Sequence, residues 1–316
     1  MNTELTSEYQ QVIKNGGFIE RKPGLIEVSG REAVQFLNGL ITNDAAKLES
    51  YSWMLAAFPN AQGRLLAVAR VLRFDDKFIF VTEEAAREKV YQNLFRFTFA
   101  GDFFVKDLSD EFSCLSVRGA TASNFKYKIP AGSEIVWARF GEESGFIIEN
   151  PRADGFDVFV PKSEKESFIN ELKESSFIEI SAELGEILRV ENGIPKYGID
   201  MDESTIVSEL GLPDLISYNK GCYIGQEIVA RIHFRGHVAK QLTGLIFDVE
   251  NAEINSGDEI KSVEGKNAGR ITSVIFSPKL GKTIALAYVR YDYLAEGTEL
   301  KIGDLTAKVK NLPFIE

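Results

Sequence analysis

The sequence contains few of the residues that form disulfides and metal sites. Among 316 residues there are two cysteines, Cys114 and Cys222, and two histidines, His233 and His237. The cysteines are more than a hundred positions apart, so they form neither a disulfide framework nor a CxxC site. Two histidines do not complete a structural metal site. The sequence therefore predicts no resident metal ion.

Basic residues are also scarce. The chain has 36 Lys and Arg against 47 Asp and Glu, a net charge of −11, and nonspecific binding to nucleic acid needs clustered cations. No apolar run approaches the ~20 residues that span a bilayer, and residues 1–11 lack the apolar segment of a secretion signal. We therefore expect a cytoplasmic protein with no nucleic-acid or membrane partner.

The rest of the composition is typical of folded proteins. The hydrophobic fraction is 44% and the charged fraction 26%, which excludes disordered, collagen-like and coiled-coil classes. The length exceeds that of a typical single domain. We expect several globular domains.

The first half of the chain predicts mixed α and β structure. A short strand at residues 25–28 leads to Ser29 and Glu32, whose spacing indicates a capping box at the start of a helix. Residues 65–74 and 78–82 have the pattern of paired strands. A second passage, alternating and then helical, follows from residue 134 to 172. These patterns predict two α+β lobes.

From residue 240 onward the pattern changes to short alternating runs separated by Gly, Pro and Asn, which is typical of a small β-barrel. We therefore assign residues 1–108 to a first α+β lobe, 109–237 to a second, and 238–316 to a C-terminal β-barrel. The first two lobes are allowed to interleave in this assignment.

The chemically densest stretch is Lys220–Glu227, which combines a cation, a thiol, two glycines and a carboxylate. Cys222 precedes apolar residues at helical spacing, so we expect it at or near a helix N-terminus. Both that position and the charge of Lys220 would lower the pKa of the thiol. The alternative is a small buried core residue, because free cysteines are often buried.

The motif Lys-Gly-Cys-Tyr-Ile-Gly-Gln-Glu at 220–227 resembles the signature of the YgfZ-type tetrahydrofolate-binding proteins. That family is implicated in iron–sulfur cluster assembly and repair and is related to the glycine-cleavage T-protein, an aminomethyltransferase. Further stretches resemble the family in the expected order along nearly the whole chain: residues 28–33, 42–44, 62–64, 189–195 and 269–273.

The resemblance implies two α+β lobes and a β-barrel arranged around a central folate pocket, with tetrahydrofolate or a derivative as the cofactor. Glu191 would pair with the pterin ring, because a carboxylate accepts two parallel N–H bonds; its alternative is a solvated residue at a helix end. Tyr197 would pack against the pterin ring or cover part of the hydrophobic core. Arg64 would meet the glutamate tail or pair with a surface acid. Gln226 and Glu227 would shape the turn at the thiol and complete the folate-binding candidates.

Two functions follow from the resemblance. The first is a folate-binding accessory protein that serves iron–sulfur enzymes or assembly proteins, with Cys222 as the reactive group and Lys220 supporting the thiolate. The second is a folate-dependent aminomethyl or one-carbon transferase. A folate sensor or scaffold without thiol chemistry is a third alternative.

One departure separates the first two functions. In the transferases a carboxylate follows the glycine turn, whereas this chain has Leu66 and Ala67 there. The sequence therefore favours the accessory role and leaves open whether the chain is an enzyme. If it is one, we expect a tetrahydrofolate-dependent aminomethyltransferase.

Overall fold

The computed structural model describes residues 3–119, 125–127, 129, 133–150, 155–249 and 253–315. Within them the chain forms a mixed α+β structure, which confirms the expected fold class. The helices are α1 Thr3–Asn15, α2 Ala33–Leu40, α3 Arg87–Phe95, α4 Lys165–Glu174, α5 Ala182–Glu191 and α6 Gln226–Arg235. The strands are β1 Gly17–Arg21, β2 Gly24–Ser29, β3 Trp53–Pro59, β4 Leu65–Arg73, β5 Lys77–Thr82, β6 Phe104–Asp107, β7 Phe112–Arg118, β8 Ile135–Phe140, β9 Glu143–Asn150, β10 Gly155–Pro161, β11 Ile178–Glu179, β12 Lys240–Phe247, β13 Glu259–Ser262, β14 Asn267–Ser277, β15 Lys282–Arg290, β16 Glu299–Ile302 and β17 Leu305–Lys310.

One sheet has five antiparallel strands in the order β3-β4-β5-β2-β6. In most of β4 buried and half-buried residues alternate, because successive side chains of a strand point to opposite faces of the sheet. Strand β4 pairs with β5 from Ala69–Thr82 to Arg73–Phe78. This pairing confirms the two strands predicted at residues 65–74 and 78–82.

A second sheet has six strands in the order β11-β1-β7-β10-β9-β8. Its strand β1 comes from the start of the chain and pairs antiparallel with β7, while the short β11 pairs parallel with β1. Phe18, Leu115 and Val158 from this sheet pack with Phe168 and Leu172 of α4 in one apolar core. The second sheet is therefore assembled from segments far apart in sequence.

The C-terminal part forms a closed barrel in the order β12-β15-β14-β13-β16-β17. Closure gives every strand two neighbours, so no edge is left unpaired. Buried residues such as Leu245, Ile260, Ala287 and Val309 form its core. The barrel predicted from the alternating pattern after residue 240 is confirmed.

The predicted capping box at Ser29 and Glu32 is wrong. Ser29 ends β2, and Glu32 precedes α2 without a side-chain bond to that helix. The Glu32 carboxylate instead accepts a 2.6 Å hydrogen bond from the backbone N–H of Asp102, while the Glu32 N–H donates to the Asp102 carbonyl. A tertiary contact across seventy residues has replaced the local cap.

The chain divides into two compact units. The barrel unit comprises Met1–Tyr9, Ala182–Leu212 and Glu227–Glu316, and the sheet unit comprises Gln10–Ser181 and Pro213–Gln226. The three-lobe boundaries of the sequence stay a prediction. Over the described ranges, no helix combines the length and the apolar character needed to cross a membrane.

The packing of β9 gives a test of the sheet unit. A Cβ atom on Gly145 would lie 2.1 Å from the Phe159 carbonyl oxygen and 2.9 Å from the Phe140 ring. We expect Gly145→Ala to lower the free energy of unfolding by about 1 to 3 kcal/mol, as overpacking does. The measurement is urea denaturation followed by circular dichroism.

The matched control is Gly39→Ala in α2, where a Cβ meets nothing within 4 Å. That change should leave stability unchanged or raise it by up to about 1 kcal/mol, because alanine is the better helix former. Equal stabilities of the two variants would contradict the packing of β9.

Candidate functional site

The Cys222 motif lies in a segment of the sheet unit that we call the thiol loop, Pro213–Gln226. Thr42, just after α2, fixes one end of the loop: its hydroxyl donates to the Leu215 carbonyl at 2.7 Å, and its carbonyl accepts from the Ser217 N–H at 3.0 Å. The Asn43 amide also donates to a loop carbonyl at 2.7 Å. The loop is therefore tied to the residues that follow α2.

Lys220 also ties the thiol loop to the residues that follow α2. Its ammonium group donates to the carbonyls of Ile41, at 2.8 Å, and Asn43, at 2.6 Å, and lies 5.1 Å from the centroid of the Tyr223 ring. Both carbonyls lie just beyond Leu40, where α2 ends, and a cation near the C-terminus of a helix is favoured by the helix dipole. In this structure Lys220 thus anchors the thiol loop to the end of α2.

The surroundings of Lys220 also change its acidity. Burial lowers the pKa of Lys220 to about 8, and the nearby Asp44 carboxylate partly opposes this effect. Burial likewise raises the pKa of the neighbouring Tyr223 to about 12, with a contribution from Tyr218. The predicted role of Lys220 in supporting the thiolate stays a prediction.

Gly225 lets the thiol loop approach the turn at residues 60–64. Its φ is +80°, and a Cβ there would lie 2.4 Å from the Asn60 carbonyl oxygen. Both the positive φ and this close approach require glycine. The Asn60 side chain closes that turn by accepting from the N–H groups of Gln62 and Arg64 at 2.9 and 3.0 Å. Arg64 therefore stands on a turn adjoining the thiol loop, and its side chain is exposed.

Cys222 is exposed, whereas Cys114 is buried. Burial raises the pKa of the Cys114 thiol to about 12, so Cys114 is the inert core residue and Cys222 is accessible. Helix α6 begins at Gln226, beyond Cys222. The thiol therefore precedes the first turn, where the effect of a helix N-terminus is concentrated.

Glu191 is the last residue of α5, in the barrel unit, and is 0% exposed. Its carboxylate accepts hydrogen bonds from the Tyr9 hydroxyl at 3.0 Å and from the Ser277 hydroxyl, and its carbonyl accepts from the Phe314 N–H at 3.1 Å. Burial and the Glu191 charge raise the pKa of Tyr9. The alternative of a solvated glutamate at a helix end is wrong, because the barrel and α1 enclose it.

The other folate-binding candidates differ in exposure. Tyr197 is buried in the barrel unit and forms an isolated bridge with Met201. Glu227 is exposed in the first turn of α6. Gln226 is half-buried at the end of the thiol loop. The structure thus groups Lys220, Cys222, Gln226 and Arg64 in the sheet unit, and Glu191, Tyr197 and Glu227 in the barrel unit.

The strand that follows the turn at residues 60–64 carries no acid at the expected place. Leu66 is half-buried and Ala67 is fully buried in β4. The next carboxylates, Asp75 and Asp76, are exposed beyond the end of β4, where Asp75 accepts from the Tyr51 hydroxyl at 3.0 Å. Within the residues that the structure describes, no group of three or more His, Cys, Asp or Glu side chains forms a metal site.

The sequence did not point to the residues that hold these sites in place. Tyr9 and Ser277 contact Glu191 across 182 and 86 positions, and no local pattern marks either residue. The segment at residues 42–44 belonged to the family resemblance, but its role as the anchor of the thiol loop was not apparent.

Comparisons with known proteins agree with this fold. Residues 1–133 match the GCVT N-terminal domain, and residues 240–315 match the glycine cleavage T-protein C-terminal barrel domain. An aminomethyltransferase from Thermoanaerobacter pseudethanolicus is 27% identical over 94% of this chain and 84% of its own. An aminomethyltransferase from Koribacter versatilis is 30% identical over 84% of this chain and 74% of its own.

A solved aminomethyltransferase structure has a similar fold. The crystal structure of glycine cleavage system aminomethyltransferase T from Bartonella henselae superposes with a TM-score of 0.83 at 20% identity, covering 99% of this chain and 90% of that one. The comparisons favour the transferase relationship over the narrower YgfZ-type resemblance. The chain belongs to the glycine-cleavage T-protein, or aminomethyltransferase, family.

Proposed function

We propose that this chain binds tetrahydrofolate. The observation that carries the proposal is the fully buried carboxylate of Glu191, at the position that the resemblance assigns to the pterin. A carboxylate has about four lone-pair sites, and Tyr9 and Ser277 use one on each oxygen. The remaining sites suit the two N–H donors on the edge of a pterin ring.

Aminomethyl or one-carbon transfer is the function that the comparisons favour. The relatives from Thermoanaerobacter and Koribacter are named aminomethyltransferases and are matched over most of their length. Tetrahydrofolate would supply the acceptor of the one-carbon unit. Leu66 and Ala67 count against this function, because a positioned acid or base contributes on the order of 10² to 10⁴ in rate.

A thiol function is the second candidate, favoured by the exposed Cys222 on its anchored loop. Thiolates are the usual ligands of iron–sulfur clusters. In this proposal Cys222 serves iron–sulfur enzymes or their assembly proteins in the cytoplasm, while folate binding belongs to the scaffold. Lys220 and Gly225 act by positioning the loop.

Glu191→Gln tests folate binding, which is part of both candidate functions. The amide keeps the shape of the side chain but loses the charge that strengthens hydrogen bonds, so we expect tetrahydrofolate affinity to fall on the order of tenfold or more. Isothermal titration calorimetry measures it. The matched control is Glu183→Gln, an exposed residue of the same helix, and equal affinities in the two variants would refute the assignment of Glu191.

Cys222→Ser separates the two functions. If the chain is a transferase, the variant should form methylene-tetrahydrofolate from aminomethyl or N-methyl donors at the wild-type rate. If the thiol role holds, neither protein makes that product, and the variant fails to restore iron–sulfur enzyme activity in a strain that lacks this protein. Cys114→Ala removes the buried thiol and should behave as wild type in both assays.

The environment of Lys220 predicts a pH-dependent reactivity. An amine is acylated only when neutral, and Lys220 with a pKa of about 8 reaches half-maximal reactivity about two and a half pH units below an ordinary lysine. Acylation at pH 6 to 11, resolved by peptide mass spectrometry, should therefore level off above pH 9 at Lys220. Reactivity that continues to rise through pH 10 would show that the amine is not held in this buried environment.

A further inference from the structure

A buried charge cluster in the sheet unit has no part in the functions proposed above. Its centre is Asp157 on β10, which is 0% exposed. The guanidinium of Arg70 and the hydroxyl of Ser116 donate to its carboxylate, and the Asn150 amide donates at 2.9 Å. Arg118 lies 3.9 Å away. We call Arg21, Arg70, Arg118 and Asp157 the arginine cluster.

Positive charge exceeds negative charge in this cluster. Burial alone would raise the pKa of Asp157, but the charges of Arg70, Arg118 and Arg21 hold it well below its usual range, so the carboxylate is ionised. Three guanidinium groups thus surround one buried carboxylate. Arg21 also approaches Glu83 at 3.8 Å, with both side chains partly exposed.

Two buried N–H donors, one in the cluster and one beside it, have no acceptor among the described residues. Arg70 Nη1 and Trp53 Nε1 are buried without a hydrogen-bond partner in the part of the chain that the structure describes. A buried donor without a partner costs about 1 to 3 kcal/mol, so such groups are rare. An acceptor that meets both donors would lie beside the guanidinium groups of the cluster, and this surrounding favours a negatively charged acceptor.

The two donors belong to neighbouring side chains on one sheet face. Arg70 of β4 pairs with Leu55 of β3, and Trp53 lies two residues from Leu55, which places Trp53 and Arg70 on the same face. The Arg70 guanidinium carbon lies 5.8 Å from the centroid of the Trp53 ring. One small ligand can therefore meet both.

The Glu134 carboxylate, which contacts the backbone of Trp53, does not satisfy the two donors. Glu134 Oε2 accepts from the backbone N–H of Trp53 at 2.9 Å and makes no hydrogen bond to the indole N–H or to Arg70 Nη1. The side chains of Arg70 and Arg118 are 14% and 13% exposed, so the cluster reaches solvent at its edge. A small anion has a route to it.

We propose that the arginine cluster and Trp53 form a binding site for a small oxyanion, a carboxylate or phosphate group, whose oxygens accept hydrogen bonds from Arg70 Nη1 and Trp53 Nε1. Guanidinium groups favour these ligands because their planar N–H donors match carboxylate and phosphate oxygens. This site goes beyond the proposed function, since none of its residues is a candidate for folate or thiol chemistry.

Trp53 supplies a local reporter for the test. The chain has two tryptophans, so Trp137→Phe leaves Trp53 as the only indole. Phosphate and succinate are titrated separately into this variant at constant ionic strength, with sodium chloride as the balancing salt. We expect a saturable change in Trp53 emission, and the anion that acts at the lower concentration identifies a phosphate or a carboxylate ligand.

Arg70→Lys in the same background should weaken the response tenfold or more, because lysine cannot reproduce the planar donor pair. The matched control is Arg73→Lys on the same strand, whose guanidinium donates to the Leu48 carbonyl and which should bind as before. Trp53→Phe in the otherwise unchanged chain should also weaken anion binding, measured by calorimetry. This variant is the alternative test if Arg70→Lys does not fold.

Two outcomes would overturn the proposal. If neither anion gives a saturable response beyond that of chloride, water satisfies the two donors and there is no anion site. If Arg70→Lys binds as tightly as Arg73→Lys, the anion binds elsewhere.

Discussion

The geometry of the thiol loop depends on the three residues that follow α2. The Thr42 hydroxyl makes two hydrogen bonds: it donates to the Leu215 carbonyl and accepts from the Ala57 N–H. Thr42 therefore joins β3 to a loop more than 150 residues later in the chain. The carbonyls on either side of Thr42 accept from Lys220. Because these contacts use backbone groups, they fix the path of the loop and leave Cys222 exposed.

The sequence predicted those features that arise from local periodicity. Strands β4 and β5 and the C-terminal barrel follow from alternating side chains, because a strand with one buried face must repeat every two residues. The capping box failed because Glu32 has a tertiary partner at Asp102 that a local pattern does not contain. Local propensity is a weak guide wherever a distant backbone group competes for the same side chain.

The candidate sites were predicted in part. The motif identified Cys222 as notable, and the structure exposes that thiol. The hydroxyl partners of Glu191 and the contact between Arg70 and Asp157 were not predicted, because these contacts join residues 86 to 182 positions apart. Sequence can name a residue with distinctive chemistry, but the neighbours that set its protonation and burial come from the tertiary fold.

The contrast between the two cysteines has a consequence for oxidation. Exposed thiols are oxidised first, and the resulting sulfenic acid is normally resolved by a second, reactive thiol. Here the only other cysteine is buried, with a pKa of about 12, so this chain offers no resolving partner. A disulfide formed at Cys222 must therefore be made with another molecule, and the oxidation state of this protein is set by the thiols that it meets.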